Sequence, residues 1–452
     1  MTDTDLTVSD RHWAVFAILM GTFLSNLDAA IANIALPIIS RELVSSSSES
    51  IWIVNAYQLV LAITILPLAA AGEAIGYKKI FLMGLFVFIV GSFACFEADS
   101  MKHLIFARII QGLGGGGLAT MGPALIRFVF PAKLASRGIS LLGLIVAVSS
   151  SAGPSIASLI LEFSNWRWFF GINIPLGIIV GVIAYFTLPQ NKATKRTFDL
   201  LGMIYSSSSI SLFILAVGNF TATNFSDNAT PSIELIFGLL MFILLLRHEK
   251  KCENPLIPLD LFRLQIFSIS VSTSIYAYCA QTVAYVSLPF LLGNQYHRSP
   301  AVVGLLMTPW PLIIAFIAPI AGRLNEKLNP GILCSIGMAI LSLALLTMYL
   351  LPLNSSNIEI ALCLTLCGVG FGFFQTPNNF LLLTAGPRER GGAASGMMSM
   401  SRLIGTTLGA AMAILFINLF PENGFLLTIL FASIVAAAGF MNSLKRLKFS
   451  AQ

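Results

Sequence analysis

Apolar runs of roughly twenty residues alternate with short polar connections along this chain, which is the length a helix needs to cross the hydrocarbon of a bilayer. Within the runs, polar and apolar positions do not alternate every second residue as in the strands of a membrane barrel. The pattern predicts helical spans at 13–36, 51–71, 80–97, 103–125, 138–161 and 168–188. A pair follows at 200–220 and 231–246, and then six more at 266–292, 300–321, 331–351, 358–383, 393–420 and 424–441. The expected fold is an all-α polytopic membrane protein of about fourteen transmembrane helices, grouped six, two and six. Its units are a tail at 1–12, a six-helix bundle at 13–188, and a linker with two additional helices at 189–265. A second six-helix bundle at 266–441 and a tail at 442–452 complete it.

Composition agrees with the pattern. Of 452 residues, 56% are hydrophobic and 10% charged, where a soluble domain carries about 25% charged residues. The net charge of +6 raises the question of a nucleic-acid partner, but the basic residues are dealt out among alternate connections. Twenty of the 26 Lys and Arg fall on one side of the predicted spans, and only Arg41, Lys102, Arg167 and Arg298 on the other. That asymmetry predicts a multi-pass protein of the cell inner (cytoplasmic) membrane with both termini cytoplasmic. The N-terminal tail carries Asp3, Asp5 and Asp10 and no basic n-region, so the first span reads as an uncleaved helix. The six cysteines fall mostly in apolar spans and read as small buried hydrophobes, with no metal or disulfide expected.

Two arginines, Arg108 and Arg402, fall inside spans, as does Asp28. An ionisable group at such depth is costly and marks a functional site. Asp28 lies about 12 Å and Arg108 about 8 Å from the outer ends of their helices at 1.5 Å per residue, so the two can meet. A carboxylate raised in pKa by desolvation and lowered by a nearby Arg can alternate between protonated and charged states and exchange a proton for a substrate. The simpler reading is an ion pair that locks two helices together.

Other features carry less. The run Gly112-Leu113-Gly114-Gly115-Gly116-Gly117 lacks the Lys-Ser/Thr ending of a phosphate loop and lies within a span, so it predicts close helix packing rather than nucleotide binding. Ser149 to Ser158, with Gly153-Pro154 inside, predicts a closely packed, kinkable helix. Glu73 and Glu326 follow matching spans in the two halves, each beside basic residues. They are either solvated turns or a latch that pairs across helices in one conformational state. Asn33, Gln111, Gln375, Asn378 and Arg402 are candidates for lining a substrate cavity. His12, His103, His248 and His297 are scattered, and no nucleophile elbow, zinc motif or Walker motif is present. No enzyme activity, cofactor or bound nucleotide is expected; the partners expected are a small-molecule substrate, protons and the lipid bilayer, with the chain acting as a monomer.

Leu27-Asp28-Ala29-Ala30-Ile31-Ala32-Asn33-Ile34-Ala35-Leu36-Pro37 resembles the first-helix motif of the fourteen-helix drug–proton antiporter family of the major facilitator superfamily, with Ala30 where Thr is usual. Arg108 to Gly112 is similar to the family's fourth-helix motif, and Gly153-Pro154 to its antiporter motif, with Ala157-Ser158 in place of Gly-Gly. Trp166 to Pro175, Phe198 to Leu200, and Ala394 to Gly396 with Arg402 and Gly405 resemble further family segments. In the loop after the second span, Glu73, Gly76 and Lys78 remain while other motif positions differ. The resemblance covers nearly the whole chain. It implies two six-helix bundles rocking about a midplane site, proton coupling through Asp28 and Arg108, and a latch at Glu73, Gly76, Lys78 and Glu326. It further implies efflux of small amphipathic compounds, as in multidrug export. The same fold could serve a siderophore or metabolite exporter, and a membrane receptor or scaffold that moves nothing is the reading from another class.

Overall fold

A computed structural model describes residues 8–45, 47–131, 134–190, 199–222, 230–250, 252, 256–420 and 423–448. The side chains of Asn33 and Pro154 lie outside the described residues. Every regular element described is helical. The first group is α1 (Val8–Glu42), α2 (Ser47–Ile75), α3 (Tyr77–Phe96), α4 (Met101–Val129), α5 (Ala135–Phe163), and a span broken at Ile172 into α6 (Trp168–Gly171) and α7 (Asn173–Thr187). Next come α8 (Leu200–Ala222), α9 (Thr230–Glu249) and the short α10 (Leu259–Phe262). The last group is α11 (Gln265–Phe290), a span divided into α12 (Pro300–Met307) and α13 (Pro309–Leu324), α14 (Pro330–Leu350), α15 (Asn357–Thr384), α16 (Gly391–Leu419) and α17 (Gly424–Leu444).

By length and composition, 12 of these helical segments can cross a membrane. The predicted spans at 138–161 and 200–220 are helical too, as α5 and α8, but their apolar stretches among the described residues, Ala135–Ser149 and Leu200–Ala216, are shorter. Most helices overrun the predicted bounds by a few residues, because local caps and not hydropathy decide where they begin. At the start of α15, Ser356 and Glu359 form a reciprocal capping box. Asn329 accepts from the Gly331 N–H at 2.8 Å and opens α14. Gly76 joins α2 to α3 with φ 119°, a left-handed conformation that an L side chain resists.

The two groups repeat one packing scheme. In the first, α1 packs on α5, and α2 and α3 pack on α4; in the second, α11 packs on α16, and α13 and α14 pack on α15. Glycine permits the tightest of these approaches in each half. A Cβ on Gly114 would lie 2.3 Å from the Phe88 backbone nitrogen across the α3–α4 contact, and one on Gly337 would lie 2.4 Å from that of Phe374 across α14–α15. Between the halves, α5 packs on α13 and α2 on α16. The pair α8–α9 stands outside this frame: α8 rests on α2 and α16, straddling the junction, while α9 packs mainly on α8. The outer flank of α9 bears Ile233, Ile236, Phe237 and Leu239, all at least half exposed, as expected of a surface that meets lipid tails.

Candidate functional site

Asp28 sits in the middle of α1, 2% exposed, and faces α4 and α7. Arg108 on α4 is fully buried and forms an ion pair with it through Nη1. Gln111 Nε2 donates to Asp28 Oδ1 at 2.8 Å, and Asn173 Nδ2 donates to the same oxygen at 3.0 Å. All three partners are donors, which matches the acceptor-only chemistry of an ionised carboxylate. Arg108 is itself held in place. Its Nε donates to the Ile53 carbonyl at 2.9 Å, its Nη1 also reaches Gln111 Oε1 at 2.5 Å, and its guanidinium lies 4.2 Å from the centre of the Tyr57 ring. Tyr57 returns to α1 by bonding the Ser25 carbonyl at 3.1 Å. Arg108 Nη2 alone has no hydrogen-bond partner. The motif spacing explains the assembly: Arg108 and Gln111, three apart on α4, share one face, and the glycines that follow let α2 and α3 close on it. Beside this cluster α5 crosses α1 so tightly that a Cβ on Gly153 would lie 2.8 Å from the Ala30 Cβ.

A separate cavity of about 430 Å³ lies between the two halves, within the range of drug-sized ligand sites. Asn26 of α1 lines it, together with Tyr278, Gln281 and Tyr285 of α11, Gln375 of α15 and Arg402 of α16. A smaller space of about 60 Å³ shares Asn26, Tyr278, Gln375 and Arg402. Gln375 Nε2 donates to the Tyr278 hydroxyl at 3.0 Å. Asn26 and Asp28 are about 200° apart around the helix at 3.6 residues per turn, so α1 shows the cavity an amide and turns its carboxylate away.

At the end of the molecule where α2, α4, α13 and α15 finish, hydrogen bonds join the halves. Arg390, just before α16, donates through Nη1 to Glu73 Oε2 at 2.8 Å and forks onto Asp260 of α10 at 2.8 and 2.6 Å. The other Glu73 oxygen accepts from the Ala393 N–H at 2.7 Å, so the carboxylate also caps the first turn of α16. Arg137 at the start of α5 grips Glu326 after α13 with two bonds of 2.6 and 2.8 Å. These two bridges are one device used twice: the acid at or just past the end of the second span of each half meets an arginine at the start of the opposite half's fifth span. Ser136 bonds the Gly322 carbonyl at 3.0 Å, Arg127 the Gly386 carbonyl at 2.5 Å, and the Gly392 N–H the Tyr77 hydroxyl at 2.8 Å. Burial works against ionising Asp260, but the Arg390 fork outweighs it and holds the carboxyl below the ordinary carboxylate range. The Arg137 hydrogen bonds hold Glu326 below that range as well.

The structure thus joins Asp28 to Arg108, and Glu73 and Glu326 to the opposite half. It corrects three placements. Gln111 does not line the cavity, because the Asp28 cluster takes its amide. Asn378 does not either: its Nδ2 donates to Ser274 Oγ at 2.7 Å and its Oδ1 accepts from Arg446 at 2.5 Å. Lys78 is no part of the bridges; its ammonium lies 5.6 Å from the Tyr185 ring centre within its own half. Sequence reasoning missed Asn173, Arg137, Asp260 and Arg390 in these roles. Arg137 and Arg390 were visible only as two of many basic loop residues, and the uncharged Asn173 was marked only by its place in the Trp166–Pro175 segment, with no role attached.

The Major Facilitator Superfamily model matches residues 18–410, and again 269–446. Among curated proteins, the chain is 41% identical over 433 residues to the uncharacterized transporter YebQ of Escherichia coli, covering 95% of this chain and 94% of that protein. It is 32% identical to the riboflavin transporter RibZ of Clostridioides difficile, covering 89% and 87%. It is 24% identical to the multidrug export protein EmrB of Haemophilus influenzae, covering 88% and 78%. Among solved structures, the human organic anion transporter MFSD10 superposes with a TM-score of 0.68 at 13% identity over 96% of this chain and 99% of that one. The proton:xylose symporter XylE superposes with 0.67 at 14% identity over 97% and 96%. At such identities these two show the fold.

Proposed function

We propose that this chain, which belongs to the major facilitator superfamily and is a membrane transporter, exports small amphipathic organic compounds in exchange for protons. The observation that carries the reading is the sealed cluster of Asp28, Arg108, Gln111 and Asn173 on the helix that also presents Asn26 to the central cavity. The relative named as a multidrug export protein supports the cargo class.

The charge asymmetry of the connections supports reading the bridged face as cytoplasmic, and on that reading the structure is a state closed toward the cytoplasm. A proton reaching Asp28 from outside converts an acceptor into a neutral acid and weakens the hold of Arg108. α1 then loosens from α4, and through Asn26 and the Gly153–Ala30 crossing the change is felt in the cavity and along α5. Opening inward requires the Glu73–Arg390 and Glu326–Arg137 bridges to part while the halves rock about the cavity. Cargo binds from the cytoplasm, the proton leaves there, and the bridges re-form.

The test is flux in reconstituted vesicles under an imposed pH gradient. Asp28→Asn should abolish gradient-driven transport while the protein still folds and inserts; undiminished transport would overturn the assignment. A metabolite exporter of the same fold is the second reading, favoured by the 32% identity to a riboflavin transporter. Efflux by a deletion strain, measured for toxins and for secreted metabolites in parallel, separates the two.

A further inference from the structure

We infer that the cargo site selects organic anions: compounds with an aromatic body and one carboxylate or similar group, which Arg402 and Tyr278 receive. This rests on the reading of the central cavity as the transport site. Among the described residues, thirteen line the cavity; none of these is Asp or Glu, and Arg402 is the one Lys or Arg among them. The described lining of the adjoining smaller space adds no other charge. The nearest deep carboxylate, Asp28, is turned away on α1 and engaged by Arg108. A cationic compound would therefore meet Arg402 with no described carboxylate in the lining to offset it, a costly encounter between like charges.

Arg402 also differs from the other deep arginine. Arg108 is fully buried and paired, whereas Arg402 is partly exposed to the cavity and makes no hydrogen bond or ion pair with any described residue. Its guanidinium keeps its whole planar fork for a ligand, and that fork matches a carboxylate. Tyr278 adds a second donor. Its oxygen accepts from Gln375 Nε2, which leaves its own proton to point elsewhere. Both groups belong to the second half and adjoin an aromatic wall: Tyr278 packs on Phe371 at 5.4 Å, and Tyr285 on Trp310 at 4.8 Å between ring centres. From the first half, the described lining residues are Asn26, Gly143, Val146 and Ala147, small groups that leave room for a ring system.

Three probes of one shape test this: 2-naphthoate (anionic), 2-naphthamide (neutral) and 2-naphthylmethylammonium (cationic). Each is titrated against the purified chain in neutral-lipid nanodiscs by calorimetry, with empty nanodiscs as the blank. Naphthoate should bind at least tenfold more tightly than the amide, and the ammonium compound most weakly. Arg402→Gln should erase the preference between acid and amide, Arg402→Lys should keep part of it, and Tyr278→Phe should weaken naphthoate more than the amide. Equal or tighter binding of the ammonium compound, no binding of naphthoate, or an unchanged preference in a monodisperse Arg402→Gln protein would each overturn the inference. Binding needs no gradient, so this outcome is separate from that of the antiport reading. Charge-selective binding without pH-driven flux would remove only the coupling. Gradient-driven efflux of cations without naphthoate binding would remove only the anion site.

Discussion

At the scale of single residues, the decisive object is a buried charge whose surroundings make it either an anchor or a switch. Asp28 receives three donors, and Arg108 spends its guanidinium on Asp28, Gln111, the Ile53 carbonyl and the face of Tyr57. Removing the carboxylate strands a cation in the interior, which costs about 3–5 kcal/mol. Asp28→Ala should therefore lower the unfolding temperature in detergent markedly. Asp28→Asn, which keeps an acceptor oxygen, should lower it less. Adding Arg108→Gln to Asp28→Ala should restore part of the loss, since it removes the stranded charge. No recovery in the double variant would mean that the pair does not share one energetic role. The charges of this cluster were legible in the sequence, because a charged residue inside an apolar run has few innocent explanations. Its uncharged members were not. Asn173 looks like any polar residue at a span boundary, and Gln111 looked equally suited to the cavity, since the face a helix turns inward depends on neighbours that a single segment does not name.

Between elements, glycine fixes distance and arginine fixes state. Gly114 and Gly337 let α3 meet α4 and α14 meet α15 at backbone contact. Alanine at either place meets main chain that cannot step aside, and overpacking of this kind costs about 1–3 kcal/mol. Gly304, with nothing within 4 Å of a Cβ, is the control: Gly304→Ala should leave detergent stability unchanged where Gly114→Ala reduces it. The bridges act on conformation. Arg390 ties Glu73 of the first half to Asp260 of the linker, so Arg390→Ala removes both links at once and should populate states open at that face. Spin labels at the exposed positions Lys79 and Lys327, each replaced by Cys, should report a longer distance in that variant.

The pH dependence of the bridges follows from Asp260 and Glu326. Both carboxyls are held below their ordinary range. A depressed folded-state value means that the bridge contribution is complete above the ordinary carboxylate pKa of about 4 and fades only as pH falls through the lower folded value. In an Asp28→Asn background the label distance should therefore stay constant between about pH 5 and pH 8. A shift within that window would locate a proton switch in the bridges themselves. Glu73 and Glu326 were readable from their matching positions in the two halves, whereas Asp260, in the linker, was not. Their arginine partners were not either, since each stood among several basic residues that loop counting treats alike.

For the whole molecule, the alternation of apolar runs and charged connections was sufficient to foresee the helical, membrane-crossing fold. Hydropathy registers long segments, and the bilayer leaves few ways to satisfy a backbone. It could not foresee that α8 lies against both halves while α9 packs mainly on α8 with an exposed apolar flank, because hydropathy along one segment does not name its neighbours. Nor could it show that Arg446, counted with the tail, is buried and reaches Asn378.

The solitary cation of the central cavity has one more consequence, in the currency of membrane potential. If a monoanion leaves against Arg402 while one proton enters, each cycle carries the equivalent of two positive charges inward, where a monovalent cation exchanged for a proton would carry none. Each elementary charge crossing 100 mV is worth about 2.3 kcal/mol. Transport should then be driven by voltage as well as by acidity. In vesicles without a pH gradient, a potassium diffusion potential set with valinomycin, negative on the cargo side, should by itself accelerate export of an anionic substrate. Flux that ignores the imposed voltage would show that other ions moving in the same cycle compensate both charges.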